Sequence, residues 1–158
     1  REIFYKVIEL AEKLRKPLLI HSRKAELECY EMLESSNAKN VVFHCFTGKL
    51  SIVRKIADKG WSFSIPASVV RNEGFQKIVL NTDVSQLFTE TDSPYLSPFK
   101  HFSFVKEKAL GEKENISYGR NEPFFVAEGL RKIAAMKSLD DDETENILYM
   151  NFQKMFLL

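Results

Sequence analysis

Three short apolar segments of this chain each end in a residue that can bind a metal ion. One apolar run ends at His21, a second ends at His44, and a third ends in the acidic pair Glu90 and Asp92, which two prolines follow. Because proline interrupts both strands and helices, Asp92 should leave its strand at an open end of the fold. Imidazole and carboxylate groups are the ligands of Zn, Mn and related cations. A cation held by them would polarise a phosphoryl oxygen or lower the pKa of a water molecule.

The elements that position these residues alternate along the chain. Helical spacing predicts helices over residues 2–14, 26–34, 50–59 and 73–80, and short apolar runs predict strands over residues 18–21, 41–44, 61–65 and 87–90. Strand ends recur roughly every 20 to 25 residues, which is the period of a βα unit with short loops. Such units form a parallel sheet covered by helices, whose strands all end at one face. We therefore expect His21, His44 and Asp92 to converge.

Beyond the third segment the pattern changes. Residues 94–120 show no sustained period and are predicted to form one long loop. Two closing helices follow. The first begins near Pro123 with Asn121 as its cap, and its buried side is predicted to carry Phe124, Ala127, Leu130 and Ala134. The second opens with Asp140 and Glu143 at the spacing of a capping box.

Composition narrows the class of protein. The chain has 158 residues, which suffice for one domain, and we predict a single domain over residues 1–158. A net charge of +1 gives no global electrostatic argument for nucleic acid or acidic lipid. No apolar run is long enough to span a membrane, so no membrane partner is expected. The two cysteines do not form a disulfide framework, which favours a reducing, cytoplasmic location.

Each candidate ligand also has a structural interpretation. His21 and His44 could bind a metal ion or simply hydrogen-bond to loop backbones at the strand ends. Glu90 lies one residue from Asp92 on the same strand face, so it could orient a metal ligand or pair with a core arginine or lysine. A metal site and a purely structural role are both open from spacing alone.

Arginines near the strand ends could contact a phosphate group. Arg23 follows the first strand and could hold a phosphate through two hydrogen bonds, or pair with Glu26 one helical turn away. Arg120 and Asn121 are predicted in a loop on the same rim and are further candidates for substrate binding. Cys45 beside a histidine suggests a nucleophile, but adjacent strand residues face opposite sides, which argues against a dyad.

Four motifs together resemble the TatD family of metal-dependent deoxyribonucleases. They are Pro17–Ala25 (P-hydrophobic-IHSR-x-A), His44–Gly48 (H-x-F-[ST]-G), Glu90–Leu96 (ETD-[AS]-PYL) and Arg120–Pro123 (RN-x-P). Their order and spacing match the family across nearly the whole chain. The resemblance implies a TIM-type (β/α)8 barrel of the metal-dependent hydrolase kind, of which this chain covers about helix four through strand eight and the C-terminal helices.

The resemblance also implies a reaction. His21, His44 and Asp92 would bind divalent metal ions (Mg, Mn or Zn), and Asp92 would in addition orient or deprotonate the attacking water. The reaction would be hydrolysis of phosphodiester bonds in DNA, in an exonuclease-like manner on short single strands or ends. DNA is therefore the expected partner.

Two family motifs are absent from this chain, namely the H-x-H pair and the glutamate of GE-x-GLD. The resemblance therefore places the chain in roughly the C-terminal three fifths of a family member and predicts little or no activity from this segment alone. Two alternatives remain. One is an ester or amide hydrolase on the same barrel, because a fold does not determine its substrate. The other is a non-catalytic, truncated fragment.

Overall fold

A four-stranded parallel sheet forms the centre of the molecule. The computed structural model describes residues 1–99 and 120–157 in full and, between them, the backbone of two strands at 103–107 and 113–117. The sheet order is β1-β2-β3-β4, and the strands are Leu18–His21, Val41–His44, Ser62–Pro66 and Leu87–Glu90. These bounds confirm the predicted parallel α/β organisation. The closed eight-stranded barrel and the single domain stay predictions.

Six helices accompany the strands in the described residues. They are α1 (Glu2–Leu14), α2 (Glu26–Glu34), α3 (Leu50–Asp58), α4 (Glu73–Leu80), α5 (Val126–Lys137) and α6 (Asp141–Phe152). The predicted start of α6 is confirmed, because the Asp140 carboxylate accepts a hydrogen bond from the Glu143 backbone N–H at 2.6 Å. None of the described helices is both long and apolar enough to cross a membrane.

The core lies between one face of the sheet and the helices. Alternate strand residues point into this layer and are almost completely buried: Leu18, Ile20, Val41, Phe43, Phe63, Ile65 and Leu87. Aromatic rings fill much of the layer, with Phe43 and Phe46 in edge contact at 5.6 Å between centroids. The residues of opposite parity point to the other face, so His21, His44 and Ser64 lie in register on neighbouring strands.

Three sequence-based expectations are wrong. Asn121 does not cap the closing helix, because Glu122 holds the cap position of the 3₁₀ turn at Pro123 and Phe125 holds that of α5, and neither side chain makes a capping hydrogen bond. The predicted loop over residues 94–120 contains an antiparallel pair of strands, β5 (Ser103–Glu107) and β6 (Lys113–Ser117). Within that stretch, residues 100–102, 108–112 and 118–119 lie outside the described residues. Phe124 is exposed, because Pro123–Phe125 form a 3₁₀ turn ahead of α5 and the tighter turn directs Phe125 inward instead.

Candidate active site

The carboxyl ends of β1 and β2 bring two histidines together. His21 and His44 are register partners in the parallel ladder, and both are the last residues of their strands. Their ring centroids lie 5.9 Å apart with the ring planes tilted by 41°. His21 is exposed, whereas His44 is partly buried. The predicted convergence of these two side chains is therefore seen in the structure.

His44 lies between two carboxylates, one on each ring nitrogen. Nδ1 pairs with Glu90 Oε2, and Nε2 lies 3.2 Å from Asp92 Oδ1. The other carboxylate oxygen of Glu90 accepts a hydrogen bond from the Cys45 backbone N–H at 3.0 Å. Glu90 thus reaches across β3 and fixes both the ring and the backbone at the end of β2. No core arginine or lysine pairs with Glu90 in the described part of the chain, so that alternative is not supported.

Two hydrogen-bond acceptors, His44 Nε2 and an Asp92 carboxylate oxygen, face each other in this arrangement. When Glu90 accepts the Nδ1 proton, the lone pair of Nε2 faces the Asp92 carboxylate oxygen. Two acceptors at this distance repel unless a second proton or a cation satisfies both. The histidine and the aspartate therefore have the chemistry and the orientation of two ligands of one ion.

Asp92 is held in a left-handed backbone conformation just beyond the end of β4. Its φ angle is +58°, and Cys45, which follows His44, has a φ angle of +46°. Non-glycine residues adopt this region rarely, and such conformations persist where surrounding contacts impose them.

Asn121 supplies the contacts that hold the loop carrying Asp92. Its side-chain N–H groups donate to the backbone carbonyls of Thr91 and Tyr95, the latter at 2.6 Å, and its backbone N–H donates to the Pro94 carbonyl at 3.0 Å. The residue is only 1% exposed. In this geometry the amide is fully used within the protein, so the structure gives no support to a direct contact between Asn121 and substrate.

Burial raises the pKa of two groups at the site, Glu90 and Cys45. The pKa of Glu90 is raised by burial, and the proximity of His44 partly offsets that shift. The pKa of the Cys45 thiol rises to about 12, first through burial and then through the charges of Asp92 and Glu90, with Arg23 opposing the shift. A thiol that stays protonated at neutral pH is a poor nucleophile, which agrees with the argument against a cysteine–histidine dyad.

The two predicted arginines are exposed near this face. Arg23 follows His21 closely and lies near enough to Cys45 for its charge to act on the thiol. It does not pair with Glu26, whose carboxylate accepts instead from the Lys24 backbone N–H and the Thr47 hydroxyl, both at 3.2 Å. Arg120 makes a loose pair with Glu122 at 3.7 Å. Among the described residues, Arg120 has only this loose ion pair and Arg23 has none.

Comparison with known proteins identifies the family. The family model described as "TatD related DNase" matches residues 1–157. The chain belongs to this family. An uncharacterized metal-dependent hydrolase of Methanocaldococcus jannaschii is 34% identical over 155 residues, covering 98% of this chain and 55% of the relative. The deoxyribonuclease TATDN3 of Homo sapiens is 30% identical over 156 residues, covering 99% of this chain and 51% of the relative. The chain spans about half the length of these curated relatives.

Solved structures show the same fold. A hydrolase of the TatD family from Entamoeba histolytica superposes with a TM-score of 0.71 at 20% identity, covering 96% of this chain and 55% of that one. The TatD homologue YJJV of Escherichia coli superposes with a TM-score of 0.74 at 17% identity, covering 96% and 54%. At these sequence identities the superpositions support the fold of the TatD-related chain but not its reaction or substrate.

Two residues at the strand ends have the spacing of ligands of one divalent cation. Two ligands bound to one tetrahedral Zn ion would lie about 3.3 Å apart, close to the 3.2 Å between His44 Nε2 and Asp92 Oδ1. Glu90 has the position of an outer carboxylate that orients a ligating imidazole. Within the described residues, however, no group of three or more His, Cys, Asp or Glu side chains is arranged to hold a metal ion. His44 and Asp92 form the best-placed pair, with His21 on the neighbouring strand.

Proposed function

We propose that this TatD-related chain contributes to the metal-dependent hydrolysis of phosphodiester bonds in DNA. The observation that carries the proposal is the placement of His44 between Glu90 and Asp92 at the carboxyl end of a parallel sheet. A divalent cation bound there would polarise a phosphoryl oxygen. The names of relatives, which include a metal-dependent hydrolase and a deoxyribonuclease, support the same reaction class.

Each residue of the site has a distinct role in this proposal. His44 and Asp92 would ligate the cation, and His21 would be a third, less well placed ligand from the neighbouring strand. Asp92 has a second carboxylate oxygen that can accept a proton from an attacking water molecule. Glu90 does not contact the substrate. It retains the Nδ1 proton of His44 and so keeps the Nε2 lone pair directed at the site.

Substrate binding is assigned to the two exposed arginines. Arg23 and Arg120 can each hold a phosphate oxygen with a planar, permanently charged group. The net charge of +1 suits an enzyme that contacts only a few nucleotides, because a long footprint needs many cationic residues. We therefore propose short single strands or strand ends as the substrate. The location is proposed to be cytoplasmic.

The ligand set in the described residues also sets an expectation for the isolated chain. Two well-placed donors and a third nearby bind a cation weakly, because a stable site needs three or four protein ligands. We propose that these elements correspond to the C-terminal portion of a TatD-type barrel. On its own, the 158-residue chain should then show little hydrolytic activity.

Single-turnover digestion of a labelled single-stranded oligonucleotide by excess protein tests this function. We expect slow cleavage that needs Mg²⁺ or Mn²⁺ and stops in chelator. Parallel Mn²⁺ titrations followed by electron paramagnetic resonance should show at least about ten-fold weaker binding for His44→Ala and Asp92→Asn. Asp142→Asn, an exposed aspartate in the first turn of α6, is the matched control and should bind like the wild type.

Three results would contradict the proposal, the first two by favouring another function. Cleavage of a nitrophenyl ester but not of DNA would favour the ester or amide hydrolase. Tight binding of oligonucleotide without any metal-dependent cleavage would favour a non-catalytic role. Mn²⁺ binding that is unchanged in both His44→Ala and Asp92→Asn would remove the site itself.

A further inference from the structure

A large aromatic side chain stands exposed beside the candidate active site. Tyr95 is 75% exposed, although tyrosine rings usually pack against other apolar groups. The residue closes a four-residue turn that begins at Asp92, since its backbone N–H donates to the Asp92 carbonyl at 2.9 Å. The α-carbons of these two residues are therefore within about 7 Å of each other.

The backbone under this ring is fixed on both sides. The buried amide of Asn121 donates to the Tyr95 carbonyl at 2.6 Å, and the Asn121 backbone N–H donates to the neighbouring Pro94 carbonyl at 3.0 Å. Farther along, the Arg71 guanidinium donates to the Ser97 carbonyl at 3.0 Å. A ring carried by such a turn loses little additional backbone freedom when a ligand binds.

A positive charge enters the same rim. Arg120 directly precedes Asn121, so the contacts of Asn121 with Pro94 and Tyr95 bring Arg120 next to the turn. The Arg120 side chain is 77% exposed, and its pair with Glu122 at 3.7 Å is a surface contact of little strength. The backbone of the turn that begins at Asp92 therefore carries an exposed ring and adjoins a residue with an exposed guanidinium.

We propose that Tyr95 is a stacking platform for an unpaired nucleobase, with Arg120 binding the adjoining phosphate. This inference rests on the proposed function and adds the residues that select the substrate. Every base has a π-face, so stacking on Tyr95 would be tolerant of sequence but would require a base that is free of its duplex partner. The platform would hold the terminal nucleotide while its phosphodiester bond lies near His44 and Asp92.

Oligonucleotide binding measured by fluorescence anisotropy, without added metal, tests the platform apart from cleavage. Tyr95→Ala should weaken binding of a short single strand about five-fold or more, and Tyr95→Phe should retain it because the ring is kept. Tyr149→Ala removes another exposed tyrosine, on α6, and should bind like the wild type. Thermal unfolding of all three variants should match the wild type, because both rings are exposed.

A single-stranded oligonucleotide with an abasic site in place of its terminal base allows a double-mutant cycle with Tyr95→Ala. The missing base should weaken binding to the wild type by a similar factor and should cost Tyr95→Ala nothing further. The platform is overturned if Tyr95→Ala binds DNA as tightly as the wild type. It is also overturned if the abasic site weakens binding equally in both proteins. Either result leaves the proposed function intact. Failure of the wild type to bind any oligonucleotide, either without metal or with Mn²⁺ added, overturns both.

Discussion

In the proposed site, Glu90 would determine which nitrogen of His44 can ligate the cation. Its two oxygens face His44 Nδ1 and the Cys45 backbone N–H, an arrangement that favours a ring proton on Nδ1. In Glu90→Gln, the amide oxygen would satisfy the Cys45 N–H and the NH₂ group would face Nδ1. The ring would then carry its proton on Nε2, where it blocks the lone pair needed for a cation.

We therefore expect Glu90→Gln to lower Mn²⁺ affinity by about 10- to 100-fold while the fold is retained. Electron paramagnetic resonance titration measures the affinity even when binding is weak, and circular dichroism checks the fold. Glu9→Gln, at an exposed position of α1, is the control for loss of one carboxylate. Equal affinities in the wild type and Glu90→Gln would show that Glu90 does not direct the imidazole.

The turn that follows β4 depends on one buried amide. Asn121→Ala would leave the Thr91 and Tyr95 carbonyls without their donor and would free the turn that carries Asp92. We expect the free energy of unfolding to fall by about 1–3 kcal/mol and proteolysis within residues 91–96 to accelerate. Urea denaturation and limited proteolysis measure the two effects. Asn146→Ala, at an exposed position of α6, should change neither, and an unchanged cleavage rate in Asn121→Ala would refute the role.

Strands and helices were predictable where a short stretch of sequence carried the whole pattern. The strands ending at His21, His44 and Glu90 were placed correctly, because each is a short apolar run that polar or proline residues bound. The burial of Asn121 could not be predicted in this way, since its partners lie about thirty residues earlier in the chain. Phe124 was misplaced because a 3₁₀ turn changes the period that a helical pattern assumes.

The candidate site was also predictable only in part. Parallel strands that end at one face were enough to predict that His44 lies close to His21 and to Asp92. The contact between Glu90 and His44 across an intervening strand was left open, because strand parity gives the face of a side chain but not its partner. Whether Arg23 and Arg120 bind phosphate stays a prediction, as does the role of His21.

In the part of the chain that the structure describes, β1 and β4 are the edge strands of the parallel sheet, and β1 carries an exposed leucine. Leu19 is 61% exposed, whereas its neighbour Leu18 is 7% exposed in the core. An unpaired edge strand with apolar side chains is a site of self-association, and a lysine there discourages pairing with another chain. We expect Leu19→Lys to slow aggregation at 37 °C, measured by light scattering, with a change of less than about 0.5 kcal/mol in the free energy of unfolding.

Leu18→Lys is the matched control for this prediction, because the same substitution one residue earlier places a charge in the core. It should lower the free energy of unfolding by about 3 kcal/mol or more and should accelerate aggregation through the unfolded state. The opposite signs expected from two adjacent positions separate edge pairing from general unfolding. Aggregation of Leu19→Lys at the wild-type rate would mean that another surface of the molecule drives self-association.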